Sequence, residues 1–331
     1  GISPSNILVV TFSRAAAKEM KERFLSFTGQ QYTPVTFGTF HGVFYGILKQ
    51  AYGFTAANIL SDEEKFGILR ELTLNYGGDL AEEGDFPEEI AREISVVKGN
   101  KIALEHYYSS CCPDEVFRQI YQGYREACQS RRKLDFDDMI LYCYELFVQR
   151  KDILEAWQKK FQYILVDEFQ DSNDVQNELV LLICKENNVF RVGDIKQSIY
   201  GFRHAKPQLM KGLITNKKEN DEVIYLSNNY RSKKMIVDFN NILFKELMNT
   251  DGFSCSYAKE DDVETGVPSQ NEDNLPICFH AIFHDEIKKE NDLILSKNDF
   301  KASYISHEIL RKHEEENRKW KDFVVLVRSN A

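Results

Sequence analysis

Short unbroken apolar runs punctuate the first two thirds of the chain, each followed by polar turn residues. Residues 7–11 read Ile-Leu-Val-Val-Thr, residues 163–166 read Tyr-Ile-Leu-Val, and residues 188–193 read Asn-Val-Phe-Arg-Val-Gly. The first two, short and apolar, predict strands buried in a parallel sheet, and the third predicts another strand. Helical patterns follow them, at 15–23 and 174–185, and residues 35–41 predict one more short strand leading into a helix start. From residue 51 to 133 the pattern changes. It becomes polar and amphipathic, with helical spacing at 62–76, 87–97 and 113–132. Ser61 with Glu64 forms a capping box ahead of the first of these. Gly77-Gly78 and Gly99-Asn100 break the helices. The reading is an all-helical insertion inside an α/β domain, with the chain returning to the sheet domain at Leu134.

A second α/β unit is predicted from about residue 221. It has a strand at 223–226, a helix opening at Asn228–Ser232 and running to about Met248, a loop at 251–274, strands at 277–282 and 323–327, and a helix at about 301–315. The expected domains are therefore 1–50 with 134–220, then 51–133, then 221–331.

Composition narrows the class. The 331 residues are 43% apolar and 28% charged, ordinary for a globular protein. No apolar run is long enough to span a membrane, and no signal peptide is visible, so a cytoplasmic protein is expected. Seven scattered cysteines without a C-x-x-C pair read as reduced thiols. The net charge of −10 argues against a general polyanion binder. A nucleic-acid site has to be a local groove of Lys and Arg.

The chemistry concentrates at Asp167 and Glu168, where the 163–166 run ends. The carboxyl end of a strand is where α/β sheets bind ligands. Asp167 can hold a Mg²⁺ that bridges phosphate oxygens. Glu168 can orient or deprotonate the water that attacks a γ-phosphate. Taken alone, the acidic pair could equally cap a strand before a helix. Its extension, Phe169-Gln170-Asp171-Ser172-Asn173, resembles the second motif of UvrD/Rep-like superfamily 1 DNA helicases.

Other segments resemble the same family in the same order. Residues 11–20, TFSRAAAKEM, are similar to TFTNKAAxEM, whose aromatic, here Phe12, lies against single-stranded DNA. Arg14 keeps that motif's cation, whereas Ser13 loses its amide. Residues 36–40 with His41 resemble TFHSF, whose Thr and His, here Thr39 and His41, lie near the DNA backbone. Residues 135–140 resemble DFDDLI. Residues 192–205 resemble VGDxxQSIYxFRGA. There Gln197 is suited to sensing a γ-phosphate, Phe202 to stacking on a base, Tyr200 to contacting DNA beside it, and Arg203 to pairing with an acid of its own domain. His204 stands in place of a Gly, and the GDIKQSIY wording leans toward the AddA/RecB helicase–nuclease branch. Residues 226–232 resemble LxxNYRS, whose Tyr, here Tyr230, packs on adenine. Its Arg, here Arg231, reaches the γ-phosphate from across the cleft.

The resemblance implies a RecA-like parallel-sheet P-loop NTPase fold with an all-helical insertion, followed by part of a second RecA-like domain. It also implies ATP and Mg²⁺ as cofactors, and 3′–5′ movement on single-stranded DNA or DNA with a 3′ single-stranded tail, with repair or nuclease proteins as possible partners. No Gly in the chain is followed by Lys, so the G-x-x-x-x-G-K-[ST] phosphate loop is missing. The expectation is an internal fragment of a helicase, inactive alone. The alternatives are an AddA/RecB-type subunit or a non-hydrolysing single-stranded nucleic-acid-binding module. Two weaker readings concern packing. Gly38, Gly42 and Gly46 are expected on one helix as a close-packing stripe. Arg131, Arg132 and Lys133 read either as phosphate contacts or as a solvated helix end.

Overall fold

The computed structural model describes residues 2–82, 84–184, 188–201, 204–249, 257, 261–266, 277–278, 280–281 and 296–327. They fall into two compact units, residues 1–226 with 251–257, and residues 227–250 with 258–331. The first is built on a four-stranded parallel sheet. Its strands are β1 (Ile7–Thr11), β2 (Thr36–Thr39), β3 (Tyr163–Val166) and β4 (Val189–Arg191), in the order β2-β1-β3-β4. The register pairs Val10 with Gly38 on one side and with Val166 on the other. β1 and β3 are central, which is why their sequences are apolar on both faces.

Helix α1 (Arg14–Thr28) links β1 to β2, and α2 (Phe40–Tyr52) follows β2. Three further helices pack beside them: α6 (Phe136–Gln149), α7 (Lys151–Lys160) and α8 (Asp174–Ile183). Phe40, Phe44 and Leu48 of α2 join Met139, Cys143 and Phe147 of α6 and Leu179 of α8. Together they form one core with Leu8, Val10, Ile164 and Val166 of the sheet. α9 (Pro207–Thr215) closes this unit's list of described helices.

The insertion has its own core. α3 (Asp62–Tyr76), α4 (Phe86–Gly99) and α5 (Asp114–Ser130) enclose Leu69, Phe86, Ile90, Phe117 and Tyr124. The predicted capping box of α3 is present, Ser61 and Glu64 exchanging bonds of 3.0 and 3.2 Å. Where the insertion leaves and rejoins the α/β domain, its two ends are fastened together. Ile59 and Leu134 form a parallel bridge, the Leu60 N–H donates to Leu134 O (2.8 Å), and the Leu134 N–H donates to Asn58 O (2.8 Å). Two members of the basic tripeptide beside this joint make contacts within the fold. Arg132 donates to Tyr52 O (2.9 Å), and Lys133 pairs with Glu64 at 2.7 Å.

A buried ionic node docks the insertion on α6. Lys98 of α4 reaches both Asp135 and Asp138 at 2.7 Å, and all three are nearly inaccessible. Tyr124 of α5 donates to Asp135 (2.9 Å) and Ser95 of α4 donates to Asp137 (2.6 Å). A buried carboxylate needs such partners, because desolvation otherwise costs several kcal/mol.

Two predicted strands are corrected, one at the end of the first unit and one in the second. Residues 223–226 and 323–327 carry no strand, and their apolar side chains Leu226, Val324 and Leu326 are exposed. Of residues 277–282, those described carry no strand either. The described strands of the second unit are β5 (Asn228–Asn229) and β6 (Glu264–Thr265), paired in parallel. The helix after β5 starts at Lys234, later than expected, and runs to Met248 as α10. The helix near the end of the chain spans Lys297–Glu315.

Candidate functional site

A parallel sheet brings the carboxyl ends of all its strands to one edge. In the first unit this edge carries Phe12, Arg14, Thr39 and His41 after β1 and β2, Asp167 and Glu168 after β3, and Gln197 beyond β4.

Asp167 continues β3, its N–H donating to Val10 O (2.9 Å). Its carboxylate is half-buried, and the Thr11 hydroxyl donates to it at 3.4 Å, a long bond. Burial raises its pKa, and the neighbouring Glu168 charge raises it further. Glu168 itself sits at φ 55°, in the left-handed region that non-glycine residues rarely enter. This turn lifts its carboxylate away from the strand into an exposed position.

What holds it there is Gln170, which is almost completely buried. Its amide Nε2 donates to Glu168 Oε2 at 2.6 Å, and its Oε1 accepts from the Asp194 N–H at 3.1 Å. Its backbone carbonyl accepts from the Ser198 hydroxyl (3.2 Å). Gly193 makes this approach possible, since a Cβ there would lie 2.2 Å from Gln170 Oε1. Asp194 in turn accepts from Gln197 Nε2 (3.0 Å) and pairs with Lys196 (2.8 Å). Burial works against the Asp194 charge, but these partners outweigh it and its pKa falls. Glu168 and Gln197 are thus parts of one hydrogen-bonded assembly spanning the ends of β3 and β4. Gln170 was quoted in the sequence pattern without a role. A Gly two residues past a strand end is the signal of such a close approach.

The DNA-contact candidates are distributed along the same edge. Ser13 caps α1, accepting from the Ala16 N–H (3.0 Å), so its hydroxyl does the work of a helix cap. Arg14 follows it, exposed. Thr39 caps α2, accepting from the Gly42 N–H (3.1 Å). The Phe12 ring is half-buried against Phe40, centroids 5.3 Å apart. His41 meets Phe136 edge-on at 5.5 Å. Tyr200 is half-buried, and His204, where the pattern has Gly, adopts φ 62°. Phe202 and Arg203 lie outside the described residues.

Tyr230 and Arg231 belong to the second unit. The Asn229 carboxamide accepts from the N–H groups of Arg231 (2.9 Å) and Ser232 (2.8 Å), forming the turn ahead of α10. The Tyr230 ring lies against Gly266, where a Cβ would come within 2.4 Å, and is otherwise 73% exposed. Among the described residues no cluster of three metal-ligating side chains occurs, and no helix is long and apolar enough to cross a membrane.

Residues 1–218 match the profile of the UvrD/REP helicase N-terminal domain. YjcD of Bacillus subtilis is 31% identical over 341 aligned residues, and the ATP-dependent DNA helicase PcrA of Staphylococcus aureus is 30% identical over 353. Both alignments take in the whole of this chain. It spans 41% and 42% of those relatives' lengths.

Proposed function

Because this chain belongs to the UvrD/REP helicase family, we propose that it forms the nucleotide- and DNA-handling core of an ATP-dependent DNA helicase moving 3′ to 5′ on single-stranded DNA. The observation that carries the reading is the shared sheet edge. Asp167, and Glu168 tied through Gln170 to the Gln197 loop, stand in one row with Arg14 and Thr39. Hydrolysis and strand contact at neighbouring strand ends can move together.

Asp167, with the Thr11 hydroxyl beside it, would hold Mg²⁺. Its raised pKa reflects burial and a like charge, and a dication offsets both. The ion supplies charge neutralisation on the β- and γ-phosphate oxygens. Glu168 accepts the proton of the attacking water and is aimed by Gln170. Gln197 reports on the γ-phosphate. Tyr230 stacks on adenine, and Arg231 brings a bidentate cation to the γ-phosphate from the second unit. On this reading residues 1–50 and 134–220 are one RecA-like domain, 51–133 an accessory subdomain, and 221–331 part of a second RecA-like domain. DNA repair in the cytoplasm is the setting that suits it.

The 331 residues contain no G-x-x-x-x-G-K-[ST] loop. Without it the phosphates lack a backbone cradle and a lysine, so the 331 residues alone are expected to turn over no ATP, with or without single-stranded DNA. Stimulated turnover that Glu168→Gln abolishes would overturn this. In a longer chain that supplies the loop, Glu168→Gln should keep ATP affinity and lose turnover. There, Arg231→Ala should slow hydrolysis by up to roughly 10³–10⁵ and abolish the dependence of DNA affinity on nucleotide. DNA affinity with and without a non-hydrolysable ATP analogue separates the two. An Arg231→Ala protein whose DNA affinity still shifts with nucleotide would remove the cross-cleft role.

A further inference from the structure

Of the three glycines read as a close-packing stripe, Gly38 does allow a close approach, since a Cβ there would lie 2.8 Å from Val43 Cγ2, whereas Gly42 and Gly46 do something else. Gly38 lies in β2, and Gly42 and Gly46 on α2. A Cβ at Gly46 would meet nothing within 4 Å, and one at Gly42 only the Thr39 hydroxyl. They line a groove of about 640 Å³. One wall is the face of α1 carrying Arg14, Ala17, Lys18 and Lys21, a spacing that keeps all four in one row. The floor is β2, the edge strand of the sheet, and the far end is Trp157, Lys160 and Phe161. Four cations line this groove and no carboxylate does, in a chain of net charge −10. Lys160 lies over the Trp157 ring at 4.4 Å, and Lys18 approaches Glu22 at 3.7 Å, where both are exposed.

From these features we propose that the groove is a track for the sugar-phosphate backbone of a single nucleic-acid strand, extending the DNA contact from Arg14 and Thr39 down to Lys160 and Trp157. The proposal rests on the helicase reading, since Arg14 and Thr39 are shared by both. Three features favour a nucleic-acid strand over an acidic peptide. The glycines bare the backbone, so a bulky phosphodiester chain fits close. The cation row on α1 spans about 10 Å from Arg14 to Lys21, a line of positive charge along which a phosphate backbone can lie. Phe37 and Trp157 offer ring surfaces on which bases stack whatever their identity.

The test uses the 331-residue chain carrying Trp320→Phe, which leaves Trp157 as the sole tryptophan. Oligodeoxythymidylates of four and of sixteen nucleotides are titrated while Trp157 emission and oligonucleotide anisotropy are followed over a range of salt. The longer strand should quench Trp157, and the shorter one should do so less. Lys21→Ala combined with Lys160→Ala should lower the slope of log affinity against log salt by about 1.4, that is 0.7 per phosphate contact on a single strand. It should weaken the longer strand more than the shorter. Gly46→Leu adds a side chain at a position where a Cβ meets nothing within 4 Å, and should weaken the longer strand while thermal denaturation shows that the variant is folded.

If single-stranded DNA binds but Trp157 is silent and the salt slope is unchanged in the double variant, the track is refuted while the helicase reading stands. If Arg14→Ala and Thr39→Ala also leave binding unchanged, the reading of the whole edge falls with it. If an oligo-glutamate peptide displaces the strand from the groove and binds more tightly, the ligand class is wrong.

Discussion

At the scale of single residues, the acidic site depends on a side chain that is neither acidic nor exposed. Gln170 holds Glu168 in a left-handed turn and reaches Asp194 through the space that Gly193 leaves open. Gly193→Ala should therefore displace the Gln170 carboxamide. The expected cost is about 1–3 kcal/mol of stability, as for an overpacked interior, read as a lower urea midpoint at unchanged slope. A variant as stable as the parent would mean that Gln170 has room to turn away. The acids themselves were legible in the sequence, because a charged pair ending a buried apolar run is conspicuous. The left-handed turn at Glu168 and the role of Gln170 were not. Both arise from contact with a strand end more than twenty residues further on, and no local pattern encodes that approach.

At the scale of elements, the N-terminus of α6 is the joint on which the insertion rests. Asp135 and Asp138 share one cation, Lys98, out of reach of solvent. Burial and the Asp135 charge push Asp138 up to about 7, while Lys98 helps draw Asp135 down to about 2 against its own burial. The two signs differ. Asp138 keeps its proton in the folded chain up to about pH 7 but loses it near 4 when unfolded. Its contribution is therefore complete below pH 4 and lost as the pH rises through about 7. Asp135 contributes above pH 4 and loses that contribution as the pH falls toward 2. Asp138→Asn should accordingly flatten the decline in stability between pH 4.5 and 7.5, measured by urea unfolding at several pH values. An unchanged decline would place the titration elsewhere.

The elements most faithfully read from sequence were those with a complete local signal. The capping box at Ser61 and Glu64 and the two-faced apolar strands β1 and β3 are examples. Residues 223–226 and 323–327 have strand composition as well. A strand also needs a neighbour for its backbone groups, and none is paired with them among the described residues.

At the scale of the molecule, the α/β unit and the helical insertion each have a core of their own, and the ends of the insertion are bonded together at Ile59 and Leu134. Replacing residues 61–133 by a short Gly-Ser linker should leave an α/β unit that still unfolds cooperatively, because the linker has only a short gap to close. Circular dichroism and urea unfolding would show it. A product without a cooperative transition would mean that the sheet unit borrows its stability from the insertion.

The same pair of bonds bears on how the chain reaches its fold. Thr11 and Asp167 are 156 positions apart, yet they meet across the centre of the sheet. Joining β1 to β3 from an unstructured chain means closing that whole loop. The insertion, rich in local helical contacts, can form early. Once Ile59 and Leu134 are bridged, the length still to be closed is roughly halved, which relieves about 0.6 kcal/mol of closure entropy. The helical insertion then acts during folding as a clasp that shortens the chain before the sheet assembles.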